Sequence, residues 1–140
     1  MKIKKEDIPV INQAGGNIMR VLNGFGEFVV SYHEFKKGTD FTPVLKGLPG
    51  DMCPCPHYGY IFEGAFRFIY ADGTEEIYNS GDAYYAPAPH TAIVDEDTRL
   101  LDFSPQHEHD EYLHLRSQCA VQVHNRHLRY CRFLLFRLHR

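Results

Sequence analysis

Turn signals at short, regular intervals constrain this chain more than any other feature. Gly64 ends "YGYIFE", Asp72-Gly73 separates "RFIYA" from "TEEIY", and Asn79-Ser80-Gly81-Asp82 precedes "AYYAP". "TAIVDE" and "TRLLDFSP" complete the series. An Asp-Gly pair between alternating apolar runs is a strong hairpin signal, because only residues tolerant of positive φ suit the tight turn. Upstream, "EFVVSYHEF" (27–35) is rich in strand formers, and "KKGTDFTPVLKGLPGD" (36–51) reads as a loop from its Gly and Pro content. No helical period runs through residues 17–104. Six or more short strands at this spacing predict an antiparallel sandwich or barrel.

The 140 residues suffice for one domain with its own core, and a hydrophobic content of 44% is that of a globular protein. The net charge of −3 gives no general attraction for nucleic acid. Charge is unevenly spread. Residues 1–106 hold 9 Lys+Arg against 15 Asp+Glu, a balance of −6, whereas residues 107–140 hold 6 Arg against 3 acids, a balance of +3. The second segment contains no Gly, Pro or Lys but carries six of the nine His. The expected organisation is one β-barrel domain over 1–106 and a tail of unusual composition over 107–140. Leu128, Cys131, Leu135 and Leu138 recur at helical spacing, so the tail reads as a helix covering the barrel, or a basic helix for a partner or a membrane surface. A third reading is a segment foreign to the domain, as a shifted reading frame would produce. Its histidines, including His107, His109 and His114, show no clean ligand spacing.

The N-terminal "MKIKKEDIPVINQ" lacks an apolar core and a cleavage site, and no segment reaches the roughly 20 apolar residues of a membrane span. The expectation is a cytoplasmic protein with no membrane association. There the four cysteines serve as free thiols or metal ligands rather than disulfides.

The stretch "DMCPCPHYGYIFEG" (51–64) carries the most chemistry. In an extended chain Asp51, Cys53, Cys55 and His57 share one face. Pro54 and Pro56 favour that conformation, since each fixes its own φ and pushes the preceding residue toward β or polyproline geometry. Same-face residues in a strand lie about 6–7 Å apart, too far for neighbours alone to surround an ion, so a bend or a partial set is required. Thiolate and imidazole suit Zn²⁺, Fe²⁺ or copper, whereas Mg²⁺ and Ca²⁺ take oxygen ligands. The competing reading makes Cys53 and Cys55 small buried hydrophobes, His57 a hydrogen-bonded core residue, His90 a cap at the strand rim and Asp51 a turn residue after Pro49-Gly50.

"YIFEG", the "ADG" hairpin and "SGDAYYAPAPHT" together resemble the cupin family over residues 25–105. The resemblance implies an all-β fold, a cupin-type double-stranded β-helix (jelly-roll) barrel, with the C-terminal segment helical or irregular. Cupins bear two motifs: Gly, then His-x-His and a Glu, and later Gly-Asp, Pro-x-Gly and a further His. Gly81-Asp82 and Pro87 match the second motif. Aligning "YIFEG" puts His57 at the Glu position and Asp51 and Cys53 at the two His positions. Aligning His57 with the first His puts Gly59 and Glu63 at the other two, and Gly59 has no ligating side chain. In the second motif Pro89 replaces Gly, Ala92 stands at the His position, and His90 has the parity to point inward.

The resemblance therefore implies a divalent metal ion (zinc, iron or copper) held by Cys53, Cys55, His57 and His90. A small-molecule pocket lined by Asp51, Tyr60, Phe68 and Tyr85 would adjoin it, with Tyr84 the alternative source of a hydroxyl. Three function classes follow: a metal-dependent oxygenase, isomerase or lyase acting on a small organic molecule; a non-catalytic ligand-binding module; and a structural or interaction barrel. No phosphate-binding Gly-rich loop or Ser-His-Asp arrangement offers another route. A homodimer is expected, because exposed strand edges or faces in so small a chain need covering.

Overall fold

The Asp72-Gly73 turn forms as predicted. Asp72 Oδ1 accepts from the Thr74 backbone N–H at 2.9 Å and from its hydroxyl at 2.6 Å, fixing the connection between β5 (Ala65–Tyr70) and β6 (Glu75–Asn79). A computed structural model of the chain describes residues 1–125, with side chains to Cys119. The remaining strands among the described residues are β1 (Val10–Ala14), β2 (Asn17–Phe25), β3 (Phe28–Phe35), β4 (His57–Glu63), β7 (Ala83–Ala86), β8 (His90–Val94) and β9 (Thr98–Pro105). They form a six-stranded sheet, β1-β2-β3-β9-β4-β7, and a three-stranded sheet, β6-β5-β8, with every pairing antiparallel. The β1–β2 hairpin is an addition to the strands read from the sequence. Gly15 and Gly16, both at positive φ, make its turn. The 36–51 connection is also not wholly irregular, since it contains a short helix, α1 (Thr42–Leu45), and a 3-10 turn at Pro49–Asp51.

The inner faces of the two sheets meet on one core. Phe35, Ile61, Phe66, Phe68, Tyr78, Tyr84, Val94 and Leu100 are all buried there. Complete burial of side chains such as Ile61 and Leu100 contributes about 1.5–3 kcal/mol each. Register decides what else shares that interior. On β9, Asp102 lies opposite Ser31 of β3 on one side and Gly59 of β4 on the other, and Gly59 in turn faces Tyr84 of β7. A polar row thus runs through an otherwise apolar barrel.

A second, smaller core closes one end. Leu45, Leu48, Cys53 and Cys55 pack there against Tyr112, Leu115 and Cys119 of α2 (Gln106–Asn125). The helix is fastened by a hydrogen bond from the Arg116 guanidinium to the Val44 carbonyl and one from Cys119 Sγ to the Gly47 carbonyl at 2.9 Å. The helical spacing read at Leu128, Cys131, Leu135 and Leu138 lies outside the described residues. Among those described, no helix is long and apolar enough to cross a membrane.

Candidate metal centre

Three of the residues singled out in the sequence converge at the end of the barrel beneath α2. Cys53, His57 and His90 each offer one donor atom, all within 4.8 Å of one another. His57 opens β4 and His90 opens β8, while Cys53 precedes β4 and is tied to the three-stranded sheet by a β-bridge to His90. The Cys53 backbone N–H donates to the His90 carbonyl at 2.7 Å, so backbone pairing alone fixes the two ligating residues side by side.

Hydrogen bonds orient both imidazoles. His90 Nδ1 lies 2.8 Å from the Pro87 carbonyl. A carbonyl only accepts, so Nδ1 carries the proton and Nε2 is left with a free lone pair. His57 Nδ1 lies 2.8 Å from Ser104 Oγ, which directs its Nε2 toward Cys53 Sγ at 3.8 Å. Tetrahedral coordination at zinc bond lengths separates a sulfur and a nitrogen ligand by about 3.5 Å, so this pair needs only a slight approach. Partners on the far nitrogen of each ligating histidine are the usual outer support of a metal site.

The electrostatics agree. Burial lowers the pKa of His57 well below its ordinary value, and the neighbouring His90, His33 and His109 lower it further. Burial lowers that of His90 as well. Both rings are therefore neutral, the form that binds metal. His57 Nδ1 also lies 3.7 Å from Asp102 Oδ2. With a neutral imidazole this contact is not an ion pair. Burial pushes the Asp102 carboxyl up to about 7 despite a hydrogen bond from Ser31. Burial likewise pushes the Cys53 thiol up to about 11. Binding a cation there must expel the thiol proton. The donor set and its burial fit a borderline or soft ion.

No protein-family model matches the sequence, and neither does any curated protein. Solved structures do match the fold. An RmlC-like cupin from Shewanella frigidimarina is 22% identical, covering 74% of this chain and 88% of its own, with a TM-score of 0.51. The polyketide cyclase RemF from Streptomyces resistomycificus is 18% identical over 76% and 79%, with a TM-score of 0.55. KdgF from a Halomonas species is 23% identical over 73% and 92%, with a TM-score of 0.51. The chain shares the barrel fold of these proteins. At these identities the likeness concerns the fold alone.

Within this barrel the other expected site residues are placed differently. Cys55 does not join the donor group. The chain bends between Cys53 and the start of β4, so strand alternation does not apply, and the Cys55 side chain packs into the smaller core with its thiol pushed up to about 12 by burial. Asp51 is a turn residue at φ 55, accepting from the Gly47 backbone at 2.8 Å and from Lys46 Nζ at 3.1 Å. Tyr60 and Tyr85 lie on the outer face of the six-stranded sheet, Tyr60 edge-on to Phe62 and Tyr85 stacked on Tyr58. Phe68 is placed inside, with its ring centroid 4.8 Å from that of His90.

Three interior residues, His33, Asp102 and Ser104, escaped the sequence reading, and a fourth was read only as the alternative to Tyr85. The inward tyrosine is Tyr84, whose buried hydroxyl has no partner among the described residues. Its ring fits because Gly59 lies opposite: a Cβ there would stand 2.5 Å from both the Tyr84 ring and the Leu101 carbonyl oxygen. His33 is buried on β3 with an Nδ1 that has no partner among the described residues, and burial lowers its pKa to about 4. Asp102 and Ser104 complete the polar row. Their signal was present in "LLDFSP", where Leu100, Asp102 and Ser104 share one parity, a core residue followed by two polar ones.

Proposed function

We propose that this chain is a metal-binding barrel that holds a zinc, iron or copper ion on Cys53, His57 and His90. The supporting observation is the convergence of one thiol and two neutral imidazoles, each ring oriented by a hydrogen bond at Nδ1. A bound ion would supply positive charge able to polarise a ligand oxygen. The protein's own residues divide the remaining tasks. Ser104 orients His57, and Phe68 walls the site against bulk water. Tyr84 offers an unpartnered hydroxyl to a small polar group.

A second reading, a metal-dependent enzyme on a small organic molecule, is favoured by Asp102. Its carboxyl, with a pKa near 7, can take up or release a proton at neutral pH, as general acid–base catalysis requires. We also read the protein as cytoplasmic, because a thiol ligand persists best in a reducing compartment.

The test is elemental analysis of untagged full-length protein, with Cys53→Ser and His57→Ala beside it. The expected result is near-stoichiometric zinc, iron or copper in the natural sequence and loss of metal from both variants. Absence of metal from protein purified and reloaded under reducing conditions refutes the reading. If both variants lose metal and keep their melting temperature, the ion is not structural. If both collapse, the enzyme reading loses its support.

A further inference from the structure

Beyond the donor group, the barrel interior holds polar atoms with no partner among the described residues. The inner face of the six-stranded sheet bears Ser31 and His33 on β3, Asp102 and Ser104 on β9, and Tyr84 on β7, all buried. Gly59 of β4 is the register partner of Asp102 on one side and of Tyr84 on the other. The two side chains therefore flank a position that has no side chain of its own. Tyr84 leans across it, since a Cβ at Gly59 would stand 2.6 Å from the Tyr84 hydroxyl oxygen. The Cβ positions of directly opposed residues are about 4.5–5.5 Å apart, so the hydroxyl lies no more than about 8 Å from the Asp102 Cβ.

The Tyr84 hydroxyl makes no hydrogen bond to Asp102 or to any other described residue. His33 lies two residues along β3 from the Ser31 that faces Asp102, and its Nδ1 is in the same condition. Buried polar atoms in a folded protein are normally satisfied, so two on one sheet face call for a group that would satisfy them. Space borders them: the side chains of Asp102 and His57 keep 11% and 22% of their surface accessible. The surrounding residues set the chemistry of that group. The buried residues described include no Lys or Arg, and an anion buried without a countercharge is strongly disfavoured. Phe68 supplies an apolar wall, its ring centroid 5.9 Å from that of Tyr84 and 6.4 Å from that of His57.

We propose that Tyr84 and Asp102 form a subsite for the uncharged hydroxyl or carbonyl oxygen of a small organic molecule whose apolar part rests on Phe68. Tyr84 donates its hydroxyl proton to that oxygen, and Asp102 contacts it from the other side of Gly59. A few aimed polar groups in a mostly apolar surround are the usual make-up of a small-ligand pocket. The inference deepens the use of Tyr84 in the reading above but needs no bound ion, so the subsite and the metal site can fail separately.

The experiment titrates cyclopentanone, cyclopentanol, cyclopentanecarboxylate and cyclopentane into the metal-free full-length chain at neutral pH under reducing conditions. Binding is read from saturation-transfer NMR of the probes and from the tyrosine ring signals. The proteins are the natural sequence, Tyr84→Phe, Asp102→Leu and Tyr85→Phe, each checked by near-ultraviolet circular dichroism. Tyr84→Phe removes only a hydroxyl that has no partner among the described residues, so its fold should stand. The natural sequence should bind the ketone and the alcohol at least about ten-fold more tightly than the carboxylate and the hydrocarbon. Tyr84→Phe should weaken the ketone and the alcohol at least about ten-fold and leave the hydrocarbon unchanged. Asp102→Leu, where it keeps the native dichroism, should weaken the alcohol likewise. Tyr85→Phe, on the outer face, should match the natural sequence. The subsite is refuted if the natural sequence binds none of the four probes, or binds the carboxylate as tightly as the ketone. It is equally refuted if Tyr84→Phe binds the ketone and the alcohol as the natural sequence does. None of these results touches the ion site of Cys53, His57 and His90, which elemental analysis decides.

Discussion

His33 gives a stability signature that can be worked out in advance. Its ring is buried beside Phe35, with centroids 5.0 Å apart, and burial holds its pKa at about 4. In the unfolded chain a histidine titrates near 6.5. The folded value is the lower one, so the neutral ring's full contribution is present above about pH 6.5. It is lost as pH falls toward 4, because the unfolded chain gains a proton that the folded one refuses. The gap of about 2.5 units corresponds to about 3 kcal/mol, of which roughly 2.5 kcal/mol has gone by pH 4.5. The perturbation is His33→Phe, which keeps an aromatic ring in the slot and cannot titrate. Urea unfolding of the metal-free protein, followed by circular dichroism at pH 7 and pH 4.5, gives the stability of both proteins. The other buried histidines titrate in both and cancel in the difference. The natural sequence should lose about 2 kcal/mol more than the variant between the two pH values. At pH 7 the variant should be no less stable, because removing the unpartnered Nδ1 relieves a cost of about 1–3 kcal/mol. Equal losses in the two proteins would mean that His33 is not held neutral, and the picture of a dry barrel interior around it would be refuted.

Gly59→Ala should destabilise the fold by about 1–3 kcal/mol, because its Cβ meets the Leu101 carbonyl and the Tyr84 ring; an unchanged melting temperature would show that Tyr84 does not lie across Gly59. Metal binding should release close to one proton at pH 7.5 from Cys53, measured by titration in two buffers of different ionisation enthalpy, and Cys53→Ser should abolish the release. The outer face of the six-stranded sheet should pair with a second copy of the chain. Phe28, Tyr58, Tyr60, Phe62 and Tyr85 are 39–51% exposed there and together present on the order of 400 Å² of aromatic surface, about half of one partner's share of a standard interface. Sedimentation should find a dimer that Tyr60→Arg dissociates, and a monomer at high concentration would refute the pairing.

Where the chain runs as regular strand, its sequence was legible. The alternation from His57 through Gly59 to Ile61 gives the inward face of β4, and the turn residues separate β4 to β9. Legibility ended where regular alternation ended. Cys53 and Cys55 look equivalent on paper, but the bend after Cys53 sends one thiol to the imidazoles and the other into the small core. In "AYYA" two adjacent tyrosines must face opposite ways, and four residues are too few to fix the phase. Only the partner strand decides it, because Gly59 leaves room for Tyr84. Asp51 carried two readings, a pocket residue and a turn residue after Pro49-Gly50, and its φ of 55 fits the turn and takes it out of the extended row. A helix over the barrel end was expected from the change of composition and from helical spacing at 128–138, residues outside those described, so the spacing did not identify where the helix meets the barrel. Its anchors, Tyr112, Arg116 and Cys119, gain meaning from a loop some seventy residues earlier.

The fastening of α2 to the 41–55 segment also governs the chemical lifetime of the protein. Cys53 and Cys55 are held as thiols by burial in a core that the helix completes. Thiolates, not thiols, are attacked by oxidants and alkylating agents. The shelter is therefore conditional. Each excursion of the helix wets both sulfurs, returns them toward the ordinary thiol range and exposes them to irreversible damage. The rate at which an alkylating reagent consumes them becomes a clock that counts helix openings in the intact protein.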